Sequence, residues 1–137
     1  MIIDGNVTNF RLTNTVFEGG SVRQLDSSFT PTVVDSYIAG NLQGGSRPVP
    51  GTIATLRQTS QTPLATWTFD FCASLAFPNV PAIVTNLAFN TPGSSIAFPV
   101  AVARQHAEWQ CGNVTIDVMP ATVGTLVVTV DSSSYTF

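Results

Sequence analysis

The chain has 137 residues, of which 44% are apolar, and its charge consists of five arginines and eight acidic residues, with no lysine and a formal net charge of −3. This composition excludes disorder, because apolar content is high and net charge is low. It also excludes nucleic-acid capture, which needs clustered Arg and Lys on phosphates. No run approaches the ~20 apolar residues of a membrane span, and no signal peptide is visible. So little charge predicts a surface partly covered by other protein.

Residues 1–30 form a loose N-terminal segment, with one strand predicted over Val7–Leu12. Two interpretations stay open. The segment is either an edge strand and long loop packed on its own domain, or an extended arm that fills pockets of a neighbouring subunit by strand addition. In the arm interpretation, the residues at the subunit or capsid interface are Ile2, Ile3, Phe10, Leu12 and Phe17.

Residues 31–137 are predicted to form a single antiparallel β-sandwich or jelly-roll-like domain behind that arm. Gly, Pro and Asn clusters divide this part of the chain into short apolar runs, a spacing typical of all-β folds. The seven predicted strands are Thr32–Ala39, Thr52–Gln58, Leu64–Phe71, Ala82–Phe89, Ile96–Arg104, Val114–Met119 and Thr125–Asp131.

Three of these strands indicate which face of the sheet is buried. Their residues alternate between apolar and mostly polar types, as expected of antiparallel strands with one face on a core. We find no helical period of useful length and no internal repeat. The predicted buried sets are Trp67, Phe69 and Phe71; Val114, Ile116 and Val118; and Leu126, Val128 and Val130.

The two cysteines, Cys72 and Cys111, are too few for a disulfide scaffold. They can form one bridge if their strands are neighbours, but two reduced, buried thiols are the preferred interpretation because no secretion signal is seen. Together with His106 they offer three candidate zinc ligands. Structural zinc usually takes four ligands in closely spaced pairs, so we predict no metal and no cofactor.

Catalytic motifs are missing from the sequence, and we predict that the protein is not an enzyme. The single histidine, His106, does not by itself establish a nucleophilic triad. No nucleophile elbow, phosphate loop or zinc-protease helix motif occurs. The acidic residues stand apart in sequence, so no paired carboxylates are indicated.

The best candidate for a recognition patch is the polar run Arg104–Gln110, which joins two predicted strands. An indole ring supplies contact area there, while amide and charged groups supply hydrogen bonds, a mixture used for sugars and for proteins. The alternative is a connecting loop whose tryptophan folds over the edge of the core. The candidate residues are Arg104, His106, Glu108 and Trp109.

The run Phe69–Val84, with Phe77-Pro78-Asn79-Val80-Pro81 at its centre, resembles a segment of bacteriophage tail-fibre and H-type lectin sandwich domains. In those domains an aromatic-rich strand ends at a proline turn and a β-branched strand follows. The resemblance covers Trp67–Arg104, whereas Val127–Phe137 lacks the aromatic closing strand of the family. No sugar-binding residue carries over by position. The broader likeness is to virion proteins: small, all-β and almost uncharged.

We therefore expect a non-enzymatic structural protein of a bacteriophage particle. The predicted role is capsid decoration (cement): homotrimers on the capsid exterior bind and stabilise the major capsid protein shell, with no nucleic-acid or membrane partner. The alternative is a tail-fibre or lectin-like module that recognises host glycans. A secreted carbohydrate-binding domain unrelated to viruses is a third hypothesis, which an intact Cys72–Cys111 bridge favours.

Overall fold

The computed structural model describes residues 6–18, 33–77, 82–91, 100–103 and 112–133. These residues form an all-β, sandwich-like domain without a helix, which confirms the all-β, sandwich-like part of the predicted fold class; the jelly-roll topology stays a prediction. In the same residues no helix is long and apolar enough to cross a membrane. The strands are β1 (Val7–Thr8), β2 (Arg11–Thr13), β3 (Val16–Phe17), β4 (Val33–Val34), β5 (Tyr37–Ala39), β6 (Leu42–Gln43), β7 (Arg47–Pro48), β8 (Ile53–Asp70), β9 (Ile83–Asn90), β10 (Val100–Ala103) and β11 (Asn113–Asp131).

The main sheet is built on β8 and β11, two long antiparallel strands that run from the Ile53–Asp131 pair to the Asp70–Asn113 pair. The other edge of β11 is shared by two shorter strands in line. β9 pairs with Thr125–Asp131 and β10 pairs with Ile116–Met119, both antiparallel. The sheet is therefore three strands wide along most of its length, with β11 in the middle.

The strand prediction is wrong in the middle of this sheet, where a bulged zone stands in place of two predicted strand breaks. The sequence analysis separates Thr52–Gln58 from Leu64–Phe71, but the structure joins them in β8 and likewise joins the last two predicted strands in β11. The register shifts between Asp117 and Gly124. Gly124 has φ 146°, and a Cβ there would lie 2.4 Å from the Asn90 carbonyl oxygen. It marks a bulge inside a strand, where glycine permits close backbone approach, and not a turn.

The buried face of the sheet matches the predicted one. All nine residues predicted from alternation are at most 3% exposed. Trp67 packs edge-on against Phe89 with ring centroids 5.7 Å apart, and its indole N–H donates to the Leu64 carbonyl oxygen at 3.3 Å. A buried indole with a satisfied N–H stabilises the fold strongly, since fully burying even a smaller apolar side chain such as Val or Phe is worth about 1.5–3 kcal/mol.

The N-terminal half contains a second kind of structure, a coil of two stacked rungs. The upper rung is residues 6–18, which carry β1–β3, and the lower rung is residues 33–43, which carry β4–β6. The strands pair in parallel at one constant offset, with Val7 opposite Val33, Leu12 opposite Ile38 and Val16 opposite Leu42. The offset is 26 residues, the same separation as in the Thr15–Asn41 hydrogen bond.

Residues with positive φ divide both rungs into strands of two or three residues. Asn9, Asn14 and Asp35 have φ of 52°, 51° and 44°, and Gly40 has φ 67°. Asn and Asp tolerate this left-handed region better than other side chains, and Gly adopts it freely. Asn9 stands at the same place in the upper rung as Asp35 in the lower, and Asn14 at the same place as Gly40. The chain therefore bends at matched positions in both rungs.

The coil departs from two sequence-based predictions, an unbroken strand in the N-terminal segment and the lack of internal repeats. The described part of the predicted arm, residues 6–18, is hydrogen-bonded to its own chain, as in the alternative of an edge strand packed on its own domain. The strand predicted over Val7–Leu12 is interrupted at Asn9. The absence of internal repeats was also a wrong prediction, because the two rungs repeat structurally. The boundary predicted between residues 30 and 31 lies outside the described residues.

The lower rung connects the coil to the main sheet. The Ser36 N–H donates to the Ser133 carbonyl oxygen at 2.8 Å, just beyond the end of β11. Thr52, directly before β8, donates its N–H to the Ile38 carbonyl oxygen at 3.0 Å and accepts the Ile38 N–H on its hydroxyl at 3.2 Å. Ile38 and Thr52 are both fully buried, so this junction is part of the packed interior.

Candidate functional site

The outward face of the main sheet carries the first candidate surface, which we call the apolar ridge: Val100, Val102 and Met119. Their exposed fractions are 63%, 58% and 78%. Val100 lies opposite Met119, and Val102 lies two residues farther along β10, so all three point away from the core. Large apolar side chains grouped on one exposed face are a common mark of an interaction surface.

A shallow groove of about 650 Å³ runs beside the ridge. One charged side chain, Asp117, is part of its lining, and the Thr66 hydroxyl donates to the Asp117 carboxylate at 3.4 Å. The groove therefore offers apolar contact with one polar anchor at its side. Apolar surface with a few polar groups is used both for protein contacts and for small ligands. Its lining residues are Ala65, Thr66, Val100, Val102, Asp117, Val118 and Met119.

A second, polar groove of about 280 Å³ lies at the bulged zone of the sheet. Its lining offers hydroxyl and amide groups and no charged side chain. Gly124 is part of its lining, and a side chain there would clash with the Asn90 carbonyl oxygen. Neutral donors and acceptors of this kind suit neutral, hydroxyl-rich ligands. The lining residues are Thr59, Ser60, Gln61, Asn90, Thr91, Gly124 and Thr125.

Threonine hydroxyl pairs continue this polar character along the same sheet face. Thr59 and Thr125 approach at 2.9 Å between hydroxyl oxygens, and Thr55 and Thr129 at 2.8 Å. Arg57 is exposed between the two pairs, opposite Val127. Cross-strand threonine pairs of this type stabilise a sheet by a few tenths of a kcal/mol to about 1 kcal/mol each. The outward face therefore carries the apolar ridge at one end and threonine hydroxyl pairs toward the other, where Ile53 and Ile83 are also exposed.

The prediction of reduced thiols is wrong for Cys72, which is disulfide-bonded. The strand register gives the physical reason. Asn113 lies opposite Asp70, and the Phe71 N–H donates to the Gly112 carbonyl oxygen at 2.9 Å. Gly112 is thus brought beside Cys72, so the condition for a bridge, neighbouring strands, is met. The chain's other cysteine, Cys111, lies outside the described residues.

The described residues offer little for metal or acid–base chemistry. Among them, no three His, Cys, Asp or Glu side chains are grouped closely enough to hold a metal ion. The Cys72 sulfur is engaged in its bridge and is not a thiolate ligand here. His106, the third member of the zinc set weighed from the sequence, falls outside the described ranges.

The predicted interface and recognition residues divide into two groups. Phe10, Leu12 and Phe17 are half-buried in the upper rung, where Leu12 lies opposite Ile38. The remaining members lie outside the described residues: Ile2, Ile3, Arg104, His106, Glu108 and Trp109.

Sequence reasoning missed the apolar ridge, although a signal for it exists. The run Val100-Ala101-Val102-Ala103 is apolar on both faces, and a strand of that type is normally covered on both sides. The large side chains, Val100 and Val102, are the exposed ones, while Ala101 and Ala103 face the core. The pattern indicates that both faces of this strand are covered, but it does not show which face packs on the core and which contacts a partner.

Comparison of the chain with protein-family models, curated proteins and solved structures finds no match. Two surfaces, the apolar ridge and the polar groove, lie on the same face of the same sheet, and each suits a different kind of partner.

Proposed function

We propose that this chain is a non-enzymatic structural protein of a bacteriophage particle, with capsid decoration as its role. In this proposal it sits on the capsid exterior as a homotrimer and binds the major capsid protein. The observation that carries the proposal is the apolar ridge, which presents two valines and a methionine to solvent on a flat sheet face. Burial of such a face against another protein is favourable, whereas its exposure to water is unfavourable.

The energetics of the ridge suit a weak contact that is multiplied in an assembly. Burying a side chain such as Val or Met is worth about 1.5–3 kcal/mol when complete, and part of that gain is spent on association entropy. One ridge gives modest affinity. Many copies on one shell stabilise the shell together, because a ligand that binds only the assembled state favours that state.

The disulfide at Cys72 supports a protein that functions outside the reducing cytosol. Bridges persist at virion surfaces and in secreted proteins, whereas cytosolic thiols are kept reduced. This supports the exterior location in the decoration role. It supports the fibre role and a secreted binding domain equally, so it does not discriminate among the three hypotheses.

The experiment that tests the decoration role is rebinding to capsid shells stripped of this protein. The added chain should bind and should raise the thermal transition of the shell. Met119→Asp places a charge on the ridge and should weaken binding at least tenfold. Ala88→Asp adds the same charge to an exposed position of β9 on the same sheet and should bind like the unmodified chain.

One result would remove the decoration role, and another would remove the apolar ridge as its contact. In the first, the unmodified chain neither rebinds nor stabilises stripped shells. In the second, the chain binds but Met119→Asp and Ala88→Asp bind equally well, which would mean that the ridge is not the contact. Circular dichroism of both variants separates loss of binding from loss of folding.

A second candidate function is the tail-fibre or lectin-like module that recognises host glycans, and the polar groove favours it. Amides and hydroxyls without charge are the groups that pair with sugar hydroxyls. Asn90→Ala removes an amide from the groove and should reduce binding to host cells. Asn86→Ala, on the same strand outside the groove, is the matched control. Trp109→Ala tests the patch predicted from sequence. If Asn90→Ala and Trp109→Ala both bind host cells as well as the unmodified chain does, this function is rejected.

A further inference from the structure

Arg57 is a cation without a counterion beside the polar groove. It is exposed on the outward face of β8 and is the only cationic side chain among the described residues of the main sheet. Within the described part of the chain, the one ion pair joins Arg11 to Asp35. The acidic residue on this half of the sheet face, Asp131, lies two side-chain rows from Arg57, about 13 Å away. Its carboxylate accepts the Ser133 N–H at 2.7 Å, so the described chain brings no carboxylate to Arg57.

The polar groove begins in the row of side chains next to this cation. Arg57 stands two residues before Thr59, which lines the groove on the same face of β8. Two residues of a strand span about 6.7 Å, and the flexible stem of an arginine lets its guanidinium reach across one such row. Opposite Arg57 lie Val127 and then Ala88, two short side chains without polar atoms. The cation is therefore placed at the side of the groove.

The groove itself has polar groups that are available to a ligand. The side-chain amides of Gln61 and Asn90 have no hydrogen-bond partner among the described residues, and each offers one acceptor and two donors. The Thr59 and Thr125 hydroxyls bond to each other at 2.9 Å and keep further acceptor capacity. At about 280 Å³ the groove is at the small end of ligand sites, so it suits a single sugar ring better than an extended chain.

We propose that the polar groove and Arg57 together bind a sugar ring that carries a carboxylate. The ring hydroxyls pair with the amides and hydroxyls of the groove, and the carboxylate pairs with the guanidinium. A guanidinium binds a carboxylate through two parallel N–H···O bonds, which fixes the orientation of the ring as well as recognising its charge. This inference deepens the second candidate function, the glycan-binding module, and rests on it, whereas it is independent of the apolar ridge.

The test compares methyl glucuronide with methyl glucoside, and methyl galacturonide with methyl galactoside, as ligands of the whole chain. The members of each pair differ only in a carboxylate in place of a hydroxymethyl group. Binding is followed through the backbone amide NMR signals of Thr59, Asn90 and Thr125. The acidic member of at least one pair should bind at least tenfold more tightly at low salt, and the difference should narrow at high salt. Acetate, a carboxylate without a ring, should bind at least tenfold more weakly than that acidic member.

Three variants assign the preference to its residues. Arg57→Gln should lose the preference for the acidic member. Arg47→Gln is the matched control, since it removes the same charge from an exposed position of β7 and should keep the preference. Asn90→Ala should weaken both members of a pair alike, because it removes an amide that pairs with ring hydroxyls. Urea unfolding curves of the three variants separate loss of binding from loss of folding.

The outcomes separate this inference from the function on which it rests. Equal affinity for acidic and neutral members, with both weakened in Asn90→Ala, would overturn the inference and leave the glycan-binding module standing. A preference that persists in Arg57→Gln, or acetate binding as tight as that of the acidic member, would overturn it too. If none of the four glycosides binds but Asn90→Ala still reduces host-cell binding, the inference fails alone. If the chain does not bind host cells either, the glycan-binding function fails with it.

Discussion

The main sheet and the coil hold together by different means. The sheet buries a continuous apolar face, with Trp67, Phe71 and Leu126 at 0% exposure. The coil is built from strands of two or three residues, and its cross-rung contacts include side-chain bonds from Ser36 and Asn41. Apolar burial is non-directional and large, whereas each hydrogen bond adds only about 0.5–1.5 kcal/mol net. The sheet therefore supplies most of the stability, and the coil is the region that opens more easily.

This difference also separates the functional roles. A stable sheet presents a fixed outward face, where the apolar ridge and the polar groove keep their geometry. In the coil, each rung recognises the other through the register of its backbone. Regions of lower local stability are where proteins most often rearrange on binding.

The largest effect is expected from Trp67→Ala, which removes the biggest buried side chain of the sheet. Loss of its packing against Phe89 should lower the free energy of unfolding by about 3–5 kcal/mol. Urea unfolding followed by circular dichroism measures this. Thr68→Ala, on the exposed face of the same strand, is the control and should cost less than about 0.5 kcal/mol. A loss below 1 kcal/mol for Trp67→Ala would contradict the assignment of stability to this core.

The next effect is expected from Cys72→Ser, which removes the bridge at the end of the sheet. The free energy of unfolding should fall by about 2–4 kcal/mol, because a disulfide restricts the unfolded chain. The unmodified chain in reductant should show the same loss. If both cysteines react with iodoacetamide before reduction, and if reductant leaves the unfolding curve unchanged, the bridge is absent from the folded protein.

A smaller difference is expected between two glycines with nearly equal φ, Gly112 at 75° and Gly45 at 76°. Alanine at either position incurs similar backbone strain, about 1–2 kcal/mol. At Gly112 the added Cβ would also lie 2.6 Å from the Cys72 nitrogen, whereas at Gly45 nothing lies within 4 Å. Gly112→Ala should therefore be about 2 kcal/mol less stable than Gly45→Ala. Equal losses would mean that the end of the sheet is packed no more closely than the turn beside the coil.

The smallest effect is expected from Arg11→Ala, which breaks the ion pair between the two rungs. Arg11 and Asp35 have side chains 52% and 69% exposed, and water and salt screen such pairs. Unfolding free energy should fall by no more than about 0.5 kcal/mol, and less at high salt. Asp35→Asn, which tolerates the positive φ, should behave alike. A loss above 2 kcal/mol would assign the coil an electrostatic basis instead of a hydrogen-bonded one.

The sheet was largely predictable from the sequence, because its stability comes from a pattern that the sequence displays. Alternation places Phe69, Ile116 and Val128 on one face, and all three are buried. Strand continuity was not predictable by the same rule. Gly124 carries the signal of a turn, and only long-range pairing between β8 and β11 makes it a bulge inside a continuous strand.

The coil was not predicted, because its order comes from bends and polar contacts that leave no apolar alternation. The signal that indicates it is a spacing of bend-forming residues: Asn9 and Asn14 recur, one rung later, as Asp35 and Gly40. Apolar pairs such as Val16 and Leu42 occupy matched positions between these bends. The two candidate grooves were equally hidden, since each depends on residues from β11 and from at least one other strand.

The most direct test of the contrast between coil and sheet is residue-resolved amide exchange in Asn41→Ala. Asn41 is 2% exposed and bonds the lower rung to Thr15 and Leu12 of the upper rung. Loss of these bonds should cost about 1–3 kcal/mol of local stability. We predict that exchange accelerates at least tenfold in residues 6–18 and stays unchanged in β8 and β11. Equal acceleration in both regions would show that coil and sheet open as one unit and would contradict the account.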